Sequence, residues 1–138
     1  MRIVSTLILT AALAATAASA APAPTKTQIK AEARLAKMLE GRSAGKPVDC
    51  IQLRDIQSSE IIDGVGIIYR VGASKLYVNR PKDARTLDSD DIMVTDTRTS
   101  QLCSIDTVRL ISRTARFPTG FVFLEKFVPY TKVPAPKS

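Results

Sequence analysis

The chain has 138 residues, with 20 Lys or Arg against 13 Asp or Glu, a formal net charge of +7 and no histidine or tryptophan. A chain of this length is typical of a single domain. The absence of histidine excludes His-dependent catalytic triads, His-ligated metals and the commonest general base near neutral pH.

The N-terminal segment, residues 1–20, has the pattern of a secretory signal peptide. Arg2 gives a positive start, an apolar run extends from Ile3 to Ala17, and Ala18-Ser19-Ala20 forms an A-x-A cleavage site. The alternative is a retained membrane anchor, but the run is shorter than the ~20 residues of a spanning helix. We therefore predict cleavage after Ala20, no transmembrane anchor after cleavage, and a periplasmic or secreted location.

Residues 21–47 are predicted to form an extended lead, an amphipathic helix and a loop. Alternating prolines favour the extended lead. Thr25 and Gln28 fit a capping box, and Gly41 stands where a helix commonly ends. The helix has one apolar side, which contains Ala31, Leu35, Met38 and Leu39.

The other side of this predicted helix carries a basic stripe. Its members are Lys26, Lys30, Arg34 and Lys37. Like charges three or four residues apart repel each other, and Glu32 and Glu40 lie beside the stripe instead of within it. The stripe is either a solvated face or a contact surface for anionic envelope components such as phospholipid headgroups or lipopolysaccharide phosphates.

Residues 48–130 are predicted to form a disulfide-linked β domain, and residues 131–138 a disordered tail. The spacing from Cys50 to Ile56 fits either a strand or a helical turn. Asp63-Gly64 is a turn pair typical of a two-residue hairpin, and the run from Leu76 to Asn79 adds a third strand to it. The run from Gly120 to Leu124 is apolar on both faces and predicts a central strand.

Cys50 and Cys103 are the two cysteines of the chain. In an exported protein such a pair predicts a structural disulfide. Closing a loop of about fifty residues contributes about 4 kcal/mol in the chain-entropy model. The alternative, a redox-active pair, normally has the close C-x-x-C spacing.

The acidic residues give weak indications of chemistry. Asp88, Asp90 and Asp91 form a cluster whose oxygens suit a hard cation such as calcium. The cluster lacks the spacing and distal glutamate of an EF-hand loop, so we predict a solvated loop, no metal site and no cofactor. Asp106 is predicted to bond backbone groups of its own turn.

Several short segments carry a resemblance. They are Cys50-Ile51-x-Leu53-Arg54-x-Ile56, Ile62-Asp63, Tyr77-x-Asn79-Arg80, Gln101-Leu102-Cys103-Ser104-x-Asp106 and Gly120-x-x-x-Leu124-x-x-Phe127-x-Pro129. In these segments the chain resembles a family of small exported proteins of Gram-negative bacteria, a domain with no assigned activity. Members of that family often carry further cysteines, one of them in the last strand, where Val122 stands here. The resemblance implies export. It does not indicate what activity, if any, the chain has.

Together these patterns predict a mainly β (α+β) fold. We expect a small antiparallel barrel or strongly bent sheet of about five to seven short strands, with one N-terminal amphipathic helix. The predicted function is a non-catalytic binding or structural module of the cell envelope. One alternative is a carboxylate-based hydrolase or transferase, with Asp55, Asp63 and Asp106 as candidates. Another is an inhibitor of an envelope enzyme, although the positive charge disfavours basic wall-cleaving lysozymes as targets. Export and the absence of a binding motif argue against nucleic acid.

Overall fold

The computed structural model describes residues 22–134. The predicted signal peptide therefore lies outside the described residues, as does the end of the predicted tail. Within the described range, one α-helix and ten strands follow one another: α1 (Lys26–Leu39), β1 (Arg42–Ala44), β2 (Cys50–Gln52), β3 (Ile56–Ile62), β4 (Gly66–Val71), β5 (Lys75–Asn79), β6 (Asp91–Thr95), β7 (Gln101–Cys103), β8 (Thr107–Ser112), β9 (Pro118–Phe123) and β10 (Val128–Lys132). Two short 3-10 helices, Leu53–Asp55 and Ala84–Thr86, lie between strands. None of the described residues forms a helix with the length and apolar character needed to cross a bilayer.

The strands form three antiparallel sheets. Their orders are β1-β10-β5-β4-β3, β6-β8-β9 and β2-β7. The prediction of a mainly β fold with one helix is confirmed, but the barrel alternative is wrong, because the described sheets stay open. The strands are also more numerous than predicted, since short pairings such as β1 with β10 and β2 with β7 join segments far apart in sequence.

The two faces of the five-stranded sheet cover two separate cores, because successive side chains of a strand point to opposite faces. On β4, Ile68 faces α1, where Ala31 and Leu35 are buried. Ile67 and Tyr69 face the three-stranded sheet and pack with its inner residues. The molecule is thus layered as helix, five-stranded sheet and three-stranded sheet.

Local sequence defines the ends of α1. The Thr25 side chain accepts the N–H of Gln28, and the Gln28 side chain accepts the N–H of Thr25, which confirms the capping box. The chain leaves the helix through Gly41, whose φ of 70° is favourable for glycine. The predicted loop that follows contains β1, which pairs with β10. Regular structure at the other end continues through Lys132, past the predicted boundary at residue 130.

The segment from Cys50 to Ile56 contains both of the structures that its spacing left open. Residues 50–52 form β2, and Leu53–Asp55 form a short 3-10 helix before β3 begins. Ile51 is buried opposite Leu102 of β7 in the core between the two larger sheets. The two-stranded sheet therefore contributes to that core as well as carrying the cysteines.

The β3–β4 hairpin confirms the predicted turn but not its length. Ile62 pairs with Gly66, so three residues connect the strands. Only Gly64 of the three has a positive φ, 66°, whereas a two-residue type I′ turn needs positive φ at both central positions. The turn is fastened from outside, because the Gly64 N–H donates to Leu87 O over 3.0 Å and the Ser89 N–H donates to Asp63 Oδ1 over 2.6 Å.

Asn79 connects the five-stranded sheet to the segment between β9 and β10. Its side chain is fully buried. The amide donates to the carbonyl oxygen of Glu125, and its oxygen accepts the Glu125 N–H over 3.0 Å. Both polar ends of the amide are thus satisfied, and Asn79 acts as a structural clamp.

Candidate functional site

The face of the three-stranded sheet that points away from the core is the candidate site. Strand pairing places Val94, Arg109 and Phe121 in one row across this face and Ile92, Ile111 and Pro118 in another. Thr107 pairs with Phe123 beyond them. We call this surface, together with Ile105 at the end of the β7–β8 turn, the outer face.

The outer face is apolar where an exposed sheet face is normally polar. Phe121 is 55% exposed, Phe123 58% and Ile105 88%. The two phenylalanine rings meet edge to face, with their centroids 5.4 Å apart. Val122, between them in sequence, is fully buried on the inner side, so β9 is apolar on both of its faces.

Two grooves adjoin along the ridge formed by Ile105 and Phe123. One has a volume of about 560 Å³ and is also lined by Asp96, Arg109 and Phe121. The other has a volume of about 690 Å³ and reaches from the ridge toward Lys82 and Glu125. Both volumes lie within the range of about 300–1,000 Å³ that is typical of small-molecule pockets.

The charges of the first groove are of both signs. Arg109 and Asp96 are exposed, and neither forms an ion pair with any of residues 22–134. Asp106 also lines the groove, but its Oδ2 accepts the N–H of Cys103 over 2.7 Å. The prediction that Asp106 is a turn residue is therefore confirmed, and Arg109 and Asp96 remain the charges available to a partner.

The position of β9 corrects the prediction of a central strand. Gly120–Leu124 was predicted to lie inside a sheet because it is apolar on both faces, but β9 is at the edge of its sheet. One face, with Val122 and Leu124, is buried as predicted. The other face bears Phe121 and Phe123, and nothing in the described chain packs over it. The outer face was thus missed, although Phe-x-Phe within an otherwise apolar run was its signal.

The predicted disulfide is present. Cys50 and Cys103 are directly opposite each other on β2 and β7, with their Cα atoms 4.0 Å apart and a sequence separation of 53. The bond joins the two short strands that enter the core between the larger sheets. The bond links two segments that are far apart in sequence and are otherwise paired at three positions; a structural role for it stays a prediction.

The basic stripe lies on the exposed side of α1. Its four members, Lys26, Lys30, Arg34 and Lys37, are all solvent-exposed. The sequence indicated no acid near enough to relieve their repulsion, but Arg34 forms an ion pair with Glu60 of β3. The three lysines have no ion-pair partner among residues 22–134, so the available positive charge of the stripe is smaller than predicted.

A second ion pair lies on the other flank of α1. Arg80 donates to both carboxylate oxygens of Glu32, over 2.6 and 3.0 Å. This hydrogen bonding from Arg80 lowers the pKa of Glu32 below its ordinary value of 4.5, and it raises the pKa of Arg80. An ion pair therefore lies on each side of the helix. The helix supplies the basic residue, Arg34, in one pair and the acidic residue, Glu32, in the other.

The acidic candidates Asp63, Asp88 and Asp106 each accept a backbone N–H. Asp63 and Asp88 line one cavity of about 530 Å³ beside the start of α1. Each accepts a backbone N–H, from Ser89 and Asp90 respectively. Asp106 lies in a different groove, and Asp55 pairs with the adjacent Arg54 at 3.8 Å. The structure therefore brings together Asp63 and Asp88, but not the three residues that the sequence suggested for catalysis.

The group Asp88, Asp90 and Asp91, for which a solvated loop was predicted, is divided by burial. Asp88 is exposed, whereas Asp91 is buried and accepts the Thr119 hydroxyl over 2.7 Å. Across residues 22–134, no three acidic or cysteine side chains converge in a way that suits a metal ion. These contacts fix the connection between β5 and β6 and its junction with β9.

No family model, curated protein or solved structure matches the chain. The class of protein is therefore defined by fold and site alone. It is a layered α+β domain with one internal disulfide and an apolar outer sheet face. Membership of the exported family that the sequence resembles stays a prediction.

Proposed function

We propose that this chain is an exported, non-catalytic binding module of the cell envelope, and that it binds a protein partner through the outer face. The observation that carries the proposal is the exposed pair Phe121 and Phe123 beside Ile105. Isolated exposed apolar residues are ordinary, but a contiguous group on one sheet face is typical of an interaction surface. Aromatic residues, Phe included, are also enriched in protein interfaces relative to the rest of the protein surface.

Other features support a binding role over a catalytic one. The carboxylates Asp63, Asp88 and Asp106 each accept a backbone N–H of a nearby loop, and this bonding accounts for their positions without a reaction. The hydrolase alternative has its best remaining location in the cavity shared by Asp63 and Asp88. An inhibitor of an envelope enzyme is one form of the proposed docking function, because it also needs an exposed protein-binding face.

The test compares the native size of the tagged chain in envelope extracts of its own cells. We expect the wild-type chain in a complex larger than the monomer, and the Phe121→Ser/Phe123→Ser variant at the size of the monomer. Ile29→Ser is the matched control, because Ile29 is 57% exposed on α1, away from the outer face. A wild-type chain that runs as a monomer, or a complex that the double variant retains, would contradict the proposal.

A second candidate function is contact with anionic envelope components, phospholipid or lipopolysaccharide, through the basic stripe. It is favoured by the three exposed lysines Lys26, Lys30 and Lys37 on one side of α1. Such attraction acts through screened charge, so binding is expected to be weak and to fall with salt. Arg34 contributes less than the lysines, because Glu60 neutralises it.

Vesicle retention at low ionic strength tests this candidate. Changing the three lysines to Gln should remove most of the binding to anionic vesicles, while Arg34→Gln alone should have a smaller effect. The control changes Lys46, Arg98 and Lys132, which are equally exposed but lie off the helix, to Gln. Equal loss in the two triple variants would show that net charge is responsible and would exclude the stripe as a site.

A further inference from the structure

The outer face has a charge pattern that is complementary to itself. Arg109 lies in the row that contains Phe121, and Asp96 lines the same groove. Neither has an ion-pair partner in the described chain, which spans residues 22–134. In a two-fold interface, residue i contacts residue j of the second copy and j contacts i. A second copy related by a two-fold axis that passes midway between Arg109 and Asp96 sets each Arg109 against the Asp96 of the other copy.

The exposed area is sufficient for such an interface. With roughly 200 Å² for a large apolar side chain, the exposed fractions give about 110 Å² for Phe121, about 115 Å² for Phe123 and about 175 Å² for Ile105. Ile92, Val94 and Ile111 add partly exposed surface in the neighbouring rows. The total is roughly 500 Å² per copy, so two copies bury about 1,000 Å², which is the size of a weak or transient protein interface.

The two rows of the outer face also suit a partner that presents a flat sheet face. Sheet faces pack on one another about 10 Å apart with side chains interdigitated. The ridge of Ile105 and Phe123 lies beside the groove that contains Arg109 and Asp96, so a second copy offers an apolar ridge to this groove. We propose, resting on the proposed docking function, that the partner of the outer face is a second copy of this chain.

Sedimentation equilibrium of the exported, oxidised chain tests the proposal. We expect a monomer–dimer equilibrium for the wild type, and at least tenfold weaker association for Phe121→Ser/Phe123→Ser. Arg109→Asp and Asp96→Arg should each weaken the dimer about tenfold, because each places like charges opposite one another. The double variant Arg109→Asp/Asp96→Arg should recover association to within about threefold of the wild type, because it restores both pairs with reversed sign. Arg109 is on β8, Phe121 and Phe123 are on β9, and Asp96 directly follows β6; all four side chains are exposed. Far-ultraviolet circular dichroism checks that each variant is folded.

The outcomes separate this inference from the docking function. Additive losses in the charge-reversal double variant would overturn the two-fold pairing of Arg109 with Asp96. A wild-type chain that is monomeric at every concentration, but still runs in a larger complex in envelope extracts, would overturn the second copy as the partner and leave docking intact. A monomer in both experiments would overturn both.

Discussion

Breaking the Cys50–Cys103 bond is expected to cost a large part of the net stability. The bond closes a loop with a sequence separation of 53, and for a loop of that length the chain-entropy model gives about 4 kcal/mol. Only three residue pairs connect β2 with β7, so local pairing cannot replace the covalent bond. Since small domains have a free energy of unfolding of about 5–15 kcal/mol, the reduced chain should retain about 1–11 kcal/mol of it.

Urea unfolding of the oxidised and the reduced chain measures this difference. The midpoint of the reduced chain should lie far below that of the oxidised chain, and the denaturant slope should rise slightly because the unfolded chain is less compact. The variant Cys50→Ala/Cys103→Ala is the control, because it should behave as the reduced chain and be insensitive to reductant. A difference below about 1 kcal/mol in the free energy of unfolding would refute the chain-entropy reasoning.

Three further changes test other parts of the fold by urea unfolding. Asn79→Ala should cost about 2 kcal/mol or more, because it leaves the N–H and C=O of Glu125 without their partner; a loss under about 0.5 kcal/mol would contradict the clamp. Gly66→Ala should cost about 1–3 kcal/mol, because its Cβ would lie 2.5 Å from the Asn79 carbonyl oxygen, whereas Gly72→Ala is a control strained by φ alone. Glu32→Gln should cost below about 1 kcal/mol near neutral pH, because the pair with Arg80 is half exposed. The folded-state pKa of Glu32 is lowered, so this contribution is present above pH 4.5 and is lost as the pH falls through the folded value; an effect that grows in acid would contradict the sign.

The helix and its caps could be predicted from the sequence because they depend on residues close together in the chain. Thr25 and Gln28 cap each other over three positions, and the buried Ala31 and Leu35 follow helical spacing. The three-stranded meander was likewise local, since β3, β4 and β5 pair with their neighbours in sequence. The disulfide was predicted because two cysteines allow one pairing.

The ion pairs of α1 could not be predicted, because they join residues far apart in the chain. Arg34 and Glu60 are separated by 26 positions, and Arg80 and Glu32 by 48. No periodicity connects such residues until the sheet order is known. The repulsion inferred along the basic stripe was therefore overestimated.

The outer face was missed for a physical reason that concerns β9. The alternation of Phe121, Val122 and Phe123 shows that both faces of the strand are apolar, and within one chain the simplest explanation is burial on both sides. The structure buries Val122 and leaves the two phenylalanines exposed. The sequence pattern thus shows that both faces of β9 are apolar. It does not show whether a face is buried by the same chain or by a partner.

The most direct test of the central claim is photo-cross-linking in the living cell with a photoreactive phenylalanine analogue at position 121. An identical substitution at Ile29, which is exposed on α1 to nearly the same degree, provides the control. We predict a cross-linked protein product from position 121 and none from position 29. The absence of a product at position 121, or equal products at the two positions, would contradict the account of the outer face as a protein-binding surface.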